Sequence, residues 1–212
     1  VGRRSSPRLA GPHFTFAIAD LARPDMLERT LDGVFTAIAA RSPAHLCLIN
    51  NAATLDGIGV LGQLGAASIA GSLGVNLAAP AIVADCFCRI FVDPHCDRRI
   101  INVSSGAAQS PIAGASLYSI AKAGLEMLTH SLAAEYPEGS LRAITLRPGI
   151  IDTPMQAELR RQPPERLPSV DMFRDFHASA RLVAPDDVAT RVVARLVEGE
   201  IENGRSYTLA EL

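Results

Sequence analysis

Lysine is nearly missing from this sequence. Lys and Arg together total 20 residues, and reading the chain gives 19 arginines and a single lysine, Lys122. An ammonium and a guanidinium are not interchangeable where a cation tunes a neighbour's proton affinity, so the exception marks position 122. Net charge is equally scarce, and at -2 it offers no electrostatic footprint for nucleic acid. No run approaches about 20 unbroken apolar residues, which argues against a membrane-spanning helix. Val1-Gly2-Arg3-Arg4 gives way to polar residues, so the start does not read as a signal peptide. The 4 cysteines (Cys47, Cys86, Cys88, Cys96) lack a secretory context, and reduced thiols are expected. Cys86, Cys88, His95 and Cys96 match no common zinc spacing, so no metal site is expected. A G-x-S-x-G turn is also absent, which sets aside a serine hydrolase. These absences leave a cytoplasmic globular protein, with neither nucleic acid nor membrane as a partner.

What remains is an ordinary globular composition, 48% hydrophobic and 20% charged over 212 residues, which suits one domain spanning 1–212. Short apolar runs alternate with longer helical patterns. That is the signature of an α/β fold, a parallel sheet covered by helices of the Rossmann-like, doubly wound kind. Strands are expected at 14–19, 45–49, 99–103, 141–146 and 206–209. Helices are expected near 24–40, 64–91, 115–136 and 185–199, with Pro24 and Pro185 where a first helical turn tolerates proline. Residues 154–181 carry Pro163, Pro164 and Pro168 among arginines and read as short helices in an excursion, the kind of segment that forms a substrate loop or lid.

In open parallel sheets ligands bind beyond the carboxyl ends of the strands. Here those ends run into Asp20, Asn50-Asn51, Ser104-Ser105 and Arg147-Pro148-Gly149. Strand ends need turn residues in any case, so this pattern alone leaves a nucleotide site and plain turns both open. A nucleotide-binding sheet normally opens with a strand, a glycine-rich turn and a helix whose N-terminus meets the phosphates. Nothing upstream of Phe14 supplies them, and Gly57, Gly59 and Gly62 follow a different strand. A first strand and glycine-rich turn are therefore expected ahead of Val1.

The strongest motif is Tyr118-Ser119-Ile120-Ala121-Lys122, with Ser105 thirteen residues before the tyrosine (118 − 105). Tyr118 and Lys122 are four apart near the start of an expected helix and share one face. A phenol titrates near ~10 and exchanges protons poorly at neutral pH. A nearby ammonium favours phenolate by roughly 1–3 units, towards the range useful in general acid–base catalysis. Ser105 is then placed to hold a carbonyl oxygen against the tyrosine hydroxyl. A surface Tyr/Lys pair on an amphipathic helix is the bland alternative.

Ile101-Asn102-Val103-Ser104-Ser105-Gly106 followed by Tyr118-Ser119-Ile120-Ala121-Lys122-Ala123 resembles the active-site block of short-chain dehydrogenases/reductases. Asn50-Asn51-Ala52-Ala53 is similar to that family's N-N-A-G motif, with alanine as its last residue. Val75-Asn76-Leu77 falls where the family has its helix-kink asparagine, and Arg147-Pro148-Gly149 with Thr153 resembles its P-G-x-x-x-T cofactor segment. The resemblance runs in order along essentially the whole chain. It implies a nicotinamide-dependent oxidoreductase in which Tyr118 protonates the carbonyl oxygen as hydride arrives. Lys122 would hold the ribose hydroxyls and depress the tyrosine pKa, Ser105 would polarise the substrate, and Asn76 would anchor a water through its backbone carbonyl. It further implies cofactor contacts from Asn51, Ala52 and Ala53, from Pro148, Gly149, Ile151 and Thr153, and from Asp20 with Leu21 at the adenine. The bland alternatives are that Asn76 simply caps or kinks a helix, that Asp20 is an N-cap for the helix that follows, and that Asn51 only satisfies sheet-edge backbone groups.

Gly2-Arg3-Arg4 resembles the strand end where NADP-preferring members place basic residues. A guanidinium suits a 2′-phosphate, so NADP(H) is favoured over NAD(H), with Arg3 and Arg4 as readers. Ile150 to Gln156 and Pro168 to Phe173 bear a looser similarity to the sepiapterin and benzil reductase branch. Met155, Met172 and Phe173 suit a hydrophobic ketone or diketone, or else pack a lid onto the body. A homodimer or homotetramer is implied, formed through the helix carrying Tyr118 and Lys122. The competing expectation is a catalytically silent member of the fold that binds a nucleotide and regulates.

Overall fold

Apolar runs beginning at His45, Asp97, Leu141 and Ser206 form the strands of the computed structural model, which describes residues 1–3, 11, 13–137, 139 and 141–212. Strands β1 (His45–Asn50), β2 (Asp97–Val103), β3 (Leu141–Arg147) and β4 (Ser206–Thr208) lie side by side in that order, all parallel. A parallel sheet covered on both faces takes near-continuous apolar strands, and β2 shows it: adjacent Ile100 and Ile101 point to opposite faces and both are fully buried. Ile100 packs with Leu27, Leu31 and Phe35 of helix α1 (Pro24–Ala39), and with Ala84 and Phe87 of α3 (Ala79–Ile90). Ile101 packs with Ile144 and Leu146 on the other face, under Val188 and Val192 of α7 (Pro185–Val192) and Leu196 beyond it. Each such side chain contributes about 1.5–3 kcal/mol by leaving water. The fold is thus α/β with a parallel sheet between helices, in one domain, as the alternation of runs predicts.

Two expectations need correction. Residues 14–19 form no strand: they make a single parallel bridge, Gly2 to Ile18, with Ile18 75% exposed. A strand is held by a ladder, and among the described residues only Gly2 offers a rung, through Gly2 N to Ala17 O and Ala19 N to Gly2 O, both 3.1 Å. The helix expected over 64–91 is also not uniform. It runs as α2 (Ala66–Leu73), a π-helical turn (Gly74–Ala78) and α3. Together Ala66–Ile90 is long and apolar enough, by length and composition, to cross a membrane, although Ser68, Ser72, Asn76, Asp85 and Arg89 keep it from being an unbroken apolar run. Its Ser72 and Asn76 are buried within the domain, however, and α3 packs on α1 and β1.

Helix α4 (Ser116–Glu135) lies against β3 and carries the Tyr/Lys motif. The proline-rich excursion contains α5 (Pro154–Arg161) and α6 (Val170–Ala178). Its two ends are joined: Ile151 bridges Val183 in parallel, with Asp152 N to Val183 O and Val183 N to Ile150 O both at 2.9 Å. The segment between them therefore forms a closed loop over the strand ends.

Candidate active site

In-register pairing sets one row of residues across the sheet: Asn50 beside Asn102, Asn102 beside Thr145, Thr145 beside Ser206. The segments that follow this row emerge side by side at the carboxyl edge, bringing Asn51, Ser105 and Pro148 to one end of the fold. The row itself is polar, and its Asn50, Asn102 and Thr145 are buried. Asn50 Nδ2 donates to Asn102 Oδ1 (2.9 Å), Asn102 Nδ2 to Thr129 Oγ1 (3.0 Å), and Thr145 Oγ1 to Thr129 Oγ1 (2.9 Å). Thr129 Oγ1 in turn donates to Leu125 O (3.1 Å) on its own helix. Buried polar groups that satisfy one another fix a unique register, and here they lock α4 against two strands. Sequence reasoning missed Thr129 and Thr145, because only the strand register aligns them with Asn102.

With α4 locked, Tyr118 and Lys122 are placed. Lys122 is 2% exposed, its Nζ donating to Val103 O at 2.7 Å and lying 5.4 Å from the centre of the Tyr118 ring. Burial lowers its pKa to about 8, so the amine is still largely charged at neutral pH. Tyr118 behaves differently from the sequence expectation. Burial raises its pKa above the ordinary phenol value, opposed only by a hydrogen bond with Ser105. Desolvation penalises the phenolate more than that bond relieves it, so at neutral pH the resting side chain is a neutral phenol. Ser105, half-buried at the end of β2, also accepts a bond from Ala107 N (3.2 Å). Its neighbour Ser104 turns inward onto α4, bonding Glu126 Oε1 (2.8 Å), which leaves Ser105 as the serine that influences the tyrosine.

Asn76 sits in the π-helical turn and is buried. Its amide reads the backbone of the loop after Ala53, donating to Thr54 O (2.9 Å) and accepting from Thr54 N (2.8 Å). The π-turn is what carries this side chain to that loop, and such bulges recur at functional sites. An Asn76→Ala variant is expected to lose roughly 2–4 kcal/mol, since both Thr54 groups lose their partner. A denaturant titration that finds less than a few tenths of a kcal/mol would exclude this role.

The remaining expected residues distribute as follows. Asn51 and Ala52 are exposed at the β1 end, with Ala53 half-buried behind them. Pro148 is buried, and Gly149 follows in the left-handed region (φ 76°), which turns the chain away from β3 at a position a Cβ would strain. Ile151 holds the bridge to Val183, and Thr153 caps α5, its Oγ1 accepting from Gln156 N at 3.3 Å. Asp20 makes a turn onto Ala22 N (3.0 Å) rather than capping α1, with half-buried Leu21 beside it. Arg3 is exposed next to the Gly2–Ile18 bridge, at the same end as Asp20, whereas Arg4 lies outside the described residues. The thiols take no part: burial pushes Cys47 up to about 11.

A lysine and a tyrosine one helical turn apart, backed by a serine at a parallel strand end, are placed to deliver a proton to an oxygen. The short chain dehydrogenase family matches residues 5–164. The chain belongs to the short-chain dehydrogenase family, and with it to the NAD(P)-dependent oxidoreductases. A benzil reductase ((S)-benzoin forming) of Bacillus subtilis is 29% identical over 194 residues, covering 91% of this chain and 79% of the relative. A sepiapterin reductase of Meriones unguiculatus is 34% identical over 143 residues, 66% of this chain and 54% of that one. Among solved structures, a short chain dehydrogenase from Burkholderia cenocepacia in complex with NADP is 28% identical with a TM-score of 0.69, covering 91% of this chain and 73% of that one. These relatives put this member in the benzil and sepiapterin reductase branch.

Proposed function

We propose that the chain is an NADP(H)-dependent reductase of a ketone or diketone, with Tyr118 as the proton donor. The observation that carries this is the geometry of the site: the buried Lys122 amine lies 5.4 Å from the half-buried Tyr118 ring one helical turn away on α4, with Ser105 just beyond the adjoining strand end. When bound, the nicotinamide supplies the hydride. Ser105 holds the carbonyl oxygen, and Tyr118 gives that oxygen its proton as charge develops on it. The negative charge then appearing on the phenol faces the Lys122 ammonium. This pair therefore stabilises the transition state more than the resting protein, which is where a catalytic interaction is useful. Asn76, by holding the π-turn, positions a backbone carbonyl for the water that refills the proton.

The residues present fit the nicotinamide half of the cofactor. Lys122 spends one of its three donors on Val103 O, which leaves donors for ribose hydroxyls. Pro148, Gly149, Ile151 and Thr153 border the same edge, with Asn51 to Ala53 across from them. At the other end Asp20 and Leu21 suit the adenine and Arg3 suits a 2′-phosphate, with Arg4, its neighbour in sequence, proposed as the second reader. No described residue supplies a glycine-rich cradle for the diphosphate. We expect Arg3→Glu combined with Arg4→Glu to raise the KM for NADPH by roughly 10–100-fold, the loss of a charge-assisted bond, and to alter that for NADH far less. Steady-state assays with both coenzymes check it; equal shifts for the two would exclude phosphate reading.

The packing of the lid changes the reading of the substrate. Phe173 packs against Phe176 in a small core with Met172, Leu167, Val170 and Tyr118, so Met172 and Phe173 hold the excursion down rather than line an opening. The cleft beside that core, about 660 Å³, is bordered by Asp56, Ser68, Glu158, Gln162 and Arg166. Its inner wall, Leu55 and Ile58, belongs to the same core as Tyr118. We read residues 154–181 as a substrate lid, and the substrate as a carbonyl compound with hydrogen-bonding groups at its far end. We assign the protein to the cytoplasm, as a homodimer or homotetramer. Exposed Ile120 and Met127 on α4, beside the largely uncovered apolar helix Ala66–Ile90, support self-association.

A further inference from the structure

We infer that Glu126 is a positioning residue for the reduction, tying the two strand ends that flank Tyr118 to the helix that carries it. This rests on the reading of Ser105, Tyr118 and the segment after Arg147 as the reducing site. Glu126 lies one helical turn beyond Lys122, on the same face of α4. Its Oε1 accepts from Ser104 Oγ (2.8 Å) and Arg147 Nε (2.7 Å), and its Oε2 accepts from Arg147 Nη2 (2.7 Å). The Ser104 hydroxyl also reaches Lys122 O (3.3 Å), and Ser104 N donates to Leu146 O (2.7 Å). The Gln109 amide oxygen, in the orientation that satisfies both groups, accepts from Arg147 Nη2 (2.9 Å) and Nη1 (3.2 Å).

One carboxylate thus joins α4, the end of β2, the end of β3 and the loop beyond Ser105. Both partners are one residue from functional positions: Ser104 precedes Ser105, and Arg147 precedes Pro148 and Gly149. The pair is withdrawn from solvent, with side chains 13% and 18% exposed. Burial raises the Glu126 carboxyl, but the bonds from Arg147 and Ser104 outweigh it and hold its pKa below the ordinary value. A forked guanidinium–carboxylate bond fixes direction as well as distance, which a point charge does not. Small errors of position between a catalytic acid and its oxygen are costly, on the order of 100-fold for 1 Å.

The comparison that separates positioning from general stability is already in the molecule. Asp97, at the opposite end of β2, is a carboxylate of similar exposure bound by Arg99 (2.9 Å) and Arg142 and faced by His45 (3.6 Å). The test compares Glu126→Gln, Arg147→Lys and Asp97→Asn with wild type by melting temperature, NADPH affinity in titration calorimetry, and kcat and KM for a carbonyl substrate. Glu126→Gln is expected to lower kcat by roughly 10–100-fold with little change in KM for the carbonyl, and to weaken NADPH binding by about 10-fold. Arg147→Lys keeps the charge and loses the fork, and is expected to reproduce these losses in smaller measure. It carries the test if Glu126→Gln fails to fold. Asp97→Asn is expected to melt earlier while keeping wild-type kcat and affinity. Wild-type NADPH affinity and kcat in both Glu126→Gln and Arg147→Lys would overturn the inference, as would an equal kcat loss in Asp97→Asn. Wild type that binds NADPH but reduces no carbonyl would refute the reductase reading instead, and the affinity of the variants would still judge Glu126.

Discussion

A Tyr118→Phe variant is expected to keep its fold and its coenzyme affinity while losing about 10²–10⁴-fold in kcat, the range that a positioned proton donor supplies. The ring stays in its core with Leu167 and Phe173, so little stability is at stake. The same chemistry fixes the pH profile. Because burial raises the Tyr118 pKa, the phenol stays protonated and competent as an acid through and beyond neutral pH. Lys122, depressed to about 8, is the first of the pair to change state as pH rises, and its charge is then lost. Carbonyl reduction is therefore expected to hold level below about pH 7 and to decline through 8, as the cation that meets the developing phenolate disappears. Alcohol oxidation runs the opposite way: it needs the phenolate, and its rate should climb into the alkaline range. Measuring both directions from pH 6 to 10, with Tyr118→Phe alongside, checks the assignment. A variant as fast as wild type would remove Tyr118 from the reaction.

The second large effect is expected at Gly114, in the turn that leads into α4. It has φ 85°, and its oxygen accepts from Gly59 N at 2.8 Å. A Cβ built there would lie 2.5 Å from Arg166 O and 2.8 Å from the Leu167 Cα, which are backbone atoms that cannot swing aside. Gly114→Ala thus combines a left-handed conformation for a non-glycine residue with a clash against the backbone of the segment 154–181, proposed above as a lid. The stability cost is expected to be roughly 2–5 kcal/mol. Leu167 and Val170 are fully buried, so the lid cannot shift outward without uncovering them. Substrate KM is expected to rise more than NADPH KM, because Glu158, Gln162 and Arg166 of the proposed lid line the cleft. Chemical denaturation together with the two KM values tests this. An unchanged midpoint would show that the lid is not seated on that turn.

Much of this is legible in the amino-acid sequence. Strands that are apolar throughout signal a sheet covered on both faces, and Tyr118 to Lys122 at helical spacing with Ser105 behind them marks the chemistry. What stays hidden has a common cause, namely that it depends on residues far apart in the chain. Residues 14–19 have a strand's composition, yet a strand also needs a ladder of partners, and composition does not report them. The Tyr118 pKa runs against the pairwise argument from Lys122, because desolvation depends on everything packed around the ring. Glu126 looks like an ordinary charged residue on a helix until Ser104 and Arg147 arrive beside it.

The sequence by itself determined the order of the four paired strands, the family and the residues proposed to exchange the proton, because hydrophobic period and motif spacing are local properties. Tertiary structure decided which of two adjacent serines meets the tyrosine, which state the phenol rests in, and where the apolar side chains of the lid point. Those depend on strand register, burial and cross-chain hydrogen bonds, which exist only once distant segments share one core.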